Sequence, residues 1–134
     1  MIRFNAFNFN NRAFFSGNSS NNGTSSAKQE LINKNYNEIY THEMAHKIAG
    51  GHLAGGIVIE RNSDGIPVSG HVDIKMPALN SENPQKTIDE ANIVIRSAMA
   101  PVDPSAQDYN VASKARSIKS EASALKAKKL DLMA

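Results

Sequence analysis

From Ala27 to Ala49 the chain runs without a proline or a glycine, and Gly50-Gly51 then ends the run. Such a stretch predicts a helix of about 35 Å at 1.5 Å per residue, and Gly50-Gly51 marks its C-terminal end. Ser26 followed by Gln29 has the spacing of a capping box, which places its start. Leu31, Asn35, Ile39, His42 and His46 recur at spacings of three and four and share one stripe, with Ile32, Tyr36 and Glu43 beside it. Whatever else the chain builds must pack against that stripe.

Near its end the stripe spells H-E-x-x-H. Residues four apart lie on one face about a turn from each other, so the imidazoles of His42 and His46 can reach a single metal ion. Glu43, next along the face, is placed to take a proton from a water on that ion. The plain alternative is a polar helix face with two solvated histidines. Two facts favour the metal. All four histidines (His42, His46, His52, His71) fall between positions 42 and 71, and the chain has no cysteine. Zinc here must therefore use nitrogen and oxygen ligands, the set that catalytic sites favour.

After the glycines the period changes. Residues 56–61 are rich in β-branched side chains, Asn62-Ser63-Asp64-Gly65 is turn chemistry, and Val68, Val72 and Ile74 alternate with Ser69, His71 and Asp73. This predicts a β-hairpin over 56–61 and 67–75 with a four- or five-residue loop. Asn83-Pro84 then starts a second helix, buried through Ile88, Ala91, Ile95 and Ala98 and ended by Pro101. Asp103-Pro104 repeats that start signal for a third helix reaching about Lys129. Along it Val111, Ala115, Ile118, Ala122, Leu125, Lys129 and Leu132 form a weak heptad seam. The lysines and Arg116 around it read as a solvated face, with an anionic partner as the alternative.

Residues 1–26 are crowded with asparagine, serine and glycine, which predicts a disordered tail. Its phenylalanines leave two other readings, a short strand through Phe7 and Phe9 or a docking segment. The domain organisation expected is a tail over 1–26, a zincin-like metal-binding domain over 27–116, and an extended C-terminal helix or tail over 117–134. A net charge of +2 implies no strong attraction to nucleic acid. No run is apolar enough to span a bilayer, and the N-terminal segment lacks the continuous apolar stretch of a secretory signal. A cytoplasmic protein is expected, with export by a route that needs no cleaved signal left open.

Three stretches together resemble one bacterial family, the SprA-related HExxH proteins. They are HEMAHKIAGG at 42–51, the hairpin from Gly55 to Ile74 with its run VSGHVDI, and APVDPSAQDYNVASKA from Ala100 to Ala115. The resemblance covers roughly residues 38–116 and implies a metalloprotease. Where relatives usually read G-G-E-V, this chain has Ser69-Gly70-His71-Val72. Glutamate and histidine both serve as third ligand in HExxH enzymes, so the resemblance favours His71 as that ligand. His52 is the alternative. It stands ten residues after His42, as in the longer H-E-x-x-H-x-x-G-x-x-H motif, but the glycines come one position late for that turn.

The fold expected is α+β and helix-dominated: a long HExxH helix, a β-hairpin and two further helices. The function expected is a zinc-dependent peptidase acting on a peptide or protein substrate, with Glu43 as general base and His42, His46 and His71 on Zn2+. The alternative is a non-catalytic protein in which metal locks helix to hairpin and the N-terminal tail or C-terminal helix binds a partner.

Overall fold

The structure, a computed structural model, describes residues 2–8 and 23–133. Its order is β1 (Ile2–Asn8), α1 (Gly23–Gly50), a single 3-10 turn (Gly51–Leu53), β2 (Ala54–Arg61), β3 (Pro67–Ile74), α2 (Pro84–Ala98) and α3 (Ala106–Met133). The fold is α+β and helix-dominated, as expected. Helix α1 begins at Gly23 rather than Ala27, so Ser26 lies inside it and not at its cap. A capping box contributes only about 1 kcal/mol, and nothing in Thr24-Ser25-Ser26 forbids another helical turn. At the other end Gly51 has φ +53°, a left-handed conformation that glycine adopts without a Cβ penalty, and there the chain leaves the helix axis.

The hairpin forms much as expected, around a loop at 62–66. Asn62 Oδ1 accepts from the amides of Asp64 and Ile66, both at 3.0 Å, and its own amide donates to Ile66 O at 2.9 Å. β2 and β3 pair antiparallel. On the other side of β3 lies β1, also antiparallel, so the sheet order is β1-β3-β2. This corrects the expectation of a disordered tail at residues 2–8: a seven-residue segment with alternating apolar positions satisfies its backbone on an available edge. The rest of that expectation up to residue 22, with Phe9, Phe14 and Phe15, lies outside the described residues.

Helix α1 packs across β2 and β3, while α2 and α3 pair with each other. The core gathers Leu53, Val72, Ile74, Val94, Ala98, Val111, Ala112 and Ala115. Alanines at these places let α2 and α3 approach closely. Contact of α1 with β3 depends on Gly70, where an added Cβ would stand 2.5 Å from Ile39 Cγ2 and 3.0 Å from Glu43 Cγ. Asn35 Nδ2 donates to Pro67 O at 2.9 Å and pins the same pair of elements further along.

Helix α3 starts at Ala106, not at Asp103-Pro104. The reason is a reciprocal pair of hydrogen bonds. The Ser105 amide donates to Asp108 Oδ2 at 2.7 Å, and the Asp108 amide donates to Ser105 Oγ at 3.1 Å. Two free amides satisfied at once outweigh the start signal of a proline. Along the α3 seam Val111, Ala115 and Ala122 are buried and Ile118 and Leu125 half-buried, while Leu130, Leu132 and Met133 are exposed. Two of its basic residues are not merely solvated. Lys126 Nζ donates to Gln85 Oε1 at 2.6 Å and Lys129 Nζ to Glu82 O at 2.8 Å, which ties the far part of α3 to the start of α2.

Candidate metal centre

His42 and His46 do share one face of α1, and both are buried. Their Nε2 atoms stand 3.3 Å apart. Opposite them is Asp108, fully buried, brought there by the first turn of α3. Its Oδ2 lies 3.5 Å from His42 Nε2 and its Oδ1 lies 3.3 Å from His46 Nε2. Three atoms each about 2.0–2.1 Å from a tetrahedral ion are separated by about 3.3 Å. The two imidazole nitrogens stand at that separation, the carboxylate presents one oxygen to each, and one ligand atom from each residue lies within 4.8 Å of the others, so the group could hold one metal ion.

The surroundings prepare these ligands. His46 Nδ1 lies 2.8 Å from the Ser97 carbonyl. A carbonyl can only accept, so Nδ1 carries a proton; Nε2 faces Asp108, to which it donates when protonated, and on losing that proton it has a lone pair to offer an ion. Ser97 Oγ donates back to His46 O at 2.7 Å, clamping the end of α2 to α1. Burial works against a charged Asp108, but hydrogen bonds from His42, His46 and the Ser105 amide hold its carboxyl well below the usual carboxylate range. For His46, burial disfavours the cation, yet Asp108 and the Ser97 carbonyl outweigh it and raise the imidazole.

Glu43 completes the centre. It is 0 % exposed, and neither carboxylate oxygen has a hydrogen-bond partner. Burial pushes its carboxyl up to about 7, with Asp108 adding to the rise and His46 opposing it. A carboxylate so placed is costly unless a charge or a proton is supplied to it. Beside the centre, between α1 and residues 100–103, runs a groove of about 460 Å³ lined by Thr41, His42, Ala45, Pro101, Val102 and Asp103. Of the residues in the centre, only His42 reaches it.

The other two histidines are elsewhere. His71 alternates away from Val72 and Ile74, and its Nδ1 lies 3.4 Å from Glu60 Oε1. Ser69 Oγ donates to the other oxygen of Glu60 at 2.7 Å. No bulge falls in β3 at Gly70 to turn His71 toward α1, so it is not brought to His42 and His46. His52 is exposed on the 3-10 turn. In their stead stands Asp108, which lies outside the H-E-x-x-H motif. Its signal was the S-x-x-D spacing of Ser105 and Asp108, a capping box hidden behind Asp103-Pro104.

No curated protein and no solved structure matches the chain. The model of one protein family, described as SprA-related, matches residues 17–133. That span includes α1, the hairpin, α2 and α3, with every residue of the centre, and the chain belongs to the SprA-related family.

Proposed function

We propose that this protein is a zinc-dependent hydrolase of peptide bonds, with His42, His46 and Asp108 holding the ion and Glu43 as general base. The observation that carries it is the buried, unpartnered carboxylate of Glu43 beside three candidate ligand atoms within 4.8 Å of one another. Two histidines and one carboxylate leave a coordination position open, the pattern of catalytic rather than structural zinc. Zinc in such a site polarises a carbonyl and acidifies water. Glu43 accepts the proton at its carboxylate and returns it to the leaving amine, and a carboxyl raised to about 7 is well matched to both tasks near neutral pH. Ser97 keeps His46 in the tautomer that offers Nε2, and Ser105 keeps the Asp108 carboxylate turned inward.

One observation favours a second reading. Glu43 and His46 are 0 % exposed, and a site so covered also suits an ion that only joins α1 to α3. Elemental analysis and peptide hydrolysis by Glu43→Gln separate the two. The hydrolase reading expects about one zinc per chain in both proteins and a loss of hydrolysis of about a hundredfold or more in the variant. Undiminished hydrolysis in Glu43→Gln would sink the role of Glu43. Zinc in a wild type that cleaves no peptide would favour the joining ion.

A further inference from the structure

The strand β1 occupies a peculiar place. It pairs along β3 at the edge of the sheet, Ile2 opposite Ile74, Phe4 opposite Val72 and Phe7 opposite Gly70. Gly70 is the residue seated on Glu43. The same strand also packs against α3 and α1, the two helices that carry Asp108 and the histidines. So a single peripheral strand touches both helices that form the centre and the strand packed on Glu43, and within the centre Glu43 and His46 are wholly covered.

Two facts mark β1 as an addition to the sheet and not a founding part of it. The family match begins at residue 17, so α1, β2, β3, α2 and α3 fall inside it and β1 outside. Residues 9–22 separate β1 from α1, whereas β2 and β3 are joined by a tight turn. Without β1, β3 presents an unpaired row of amides and carbonyls along the strand whose Gly70 packs on Glu43. Such an edge takes up an extended peptide by strand addition, with backbone bonds supplying affinity and alternate side chains supplying selection.

We propose that the place of β1 is the substrate site. An extended peptide segment binds antiparallel to β3 there, and β1 covers the centre until that segment displaces it. The inference rests on the hydrolase reading for what becomes of the peptide, but not for its binding. Its occupant is a strand with apolar residues at alternate positions, as β1 has at Ile2 and Phe4 opposite Ile74 and Val72.

The test uses the full-length, zinc-loaded chain. Phe4→Pro combined with Asn5→Pro removes whichever of two successive amides faces β3. Two rates or affinities are read: the loss of zinc to excess chelator, and the binding of a labelled synthetic peptide, MIRFNAFNF. Zinc loss is expected to quicken, and peptide affinity to rise, by about tenfold or more over wild type. A second variant guards against misfolding. Arg3→Cys with Asp73→Cys, a facing pair in a chain with no other cysteine, staples β1 in place when oxidised. Its oxidised form should release zinc and bind the peptide about tenfold more weakly than the same protein reduced. Equal behaviour of the oxidised and reduced forms, or of the proline variant and wild type, overturns the inference. Neither readout involves hydrolysis, so an inactive wild type leaves this test standing while it removes the peptidase reading.

Discussion

Glu43→Gln also carries a prediction for the protein stripped of metal, and its size follows from burial. The folded protein raises the Glu43 carboxyl from its ordinary 4.5 to about 7 because ionising it inside the fold leaves an unsolvated charge. For a group whose folded pKa is raised, stability is fully present below the unfolded value and is lost as pH climbs toward the folded one. Between pH 4 and pH 8 the carboxylate should therefore cost the fold about 3 kcal/mol, at about 1.4 kcal/mol per pH unit of separation. Glutamine has nearly the same shape and no such ionisation. Urea unfolding of wild type and Glu43→Gln in chelator, at several pH values, reads the Glu43 titration together with its coupling to His46 and Asp108. The variant should gain on wild type by about 3 kcal/mol across that range, and saturating zinc should shrink the gain by favouring the ionised wild type. A difference that stays flat from pH 4 to pH 8 would refute the buried, unpaired state of Glu43.

Other outcomes follow from the same geometry. Asp108→Ala should lower zinc affinity by about a hundredfold or more and, through the lost cap, destabilise the metal-free fold by about 1 kcal/mol, read by competition with a chelator and by denaturation. His71→Ala should leave zinc affinity within about twofold of wild type, since its partner is Glu60 and not the centre; a collapse of affinity would restore the histidine to the ligand set. Ser97→Ala deletes the Oγ bond to His46 O but keeps the carbonyl that orients His46 Nδ1, so it should cost stability of about 1 kcal/mol and little metal affinity. Gly70→Ala should destabilise by about 1–3 kcal/mol through the clash with Ile39 and Glu43.

Much of the fold was legible because local signals dominate it. The glycine stop after α1, the Asn62 loop and the cap of α2 by Asn83 are short-range chemistry, and each appears where the residues place it. His42, Glu43 and His46 were legible for the same reason, since one turn of helix fixes their mutual placement. Asp108 was not. Its approach to the histidines depends on how α3 crosses α1, a tertiary fact with no periodic trace, and a stronger-looking start signal masked its capping box. Alternation argued against His71 from the outset, because Val72 and Ile74 claim the core side of β3. The preference for it rested on a family substitution pattern, which names a chemistry and not the direction in which a strand faces. For β1 the low information lay in composition: asparagines dilute its alternation, and only the vacant edge of β3 makes it a strand.

The capping box at Ser105 and Asp108 bears on how the centre fills and empties. Asp108 answers to a helix N-terminus as well as to the histidines, so its carboxylate is held ionised by the protein itself. Above the acid range it has no proton to surrender when an ion arrives. If the centre takes up an ion as proposed, protons released on loading would come from groups other than Asp108, with His46 and Glu43, both shifted upward, among them. One anchor of the centre thus stays charged and aimed whether or not the ion is there. Loading of the proposed ion would then need no rebuilding of the helix that presents the third donor.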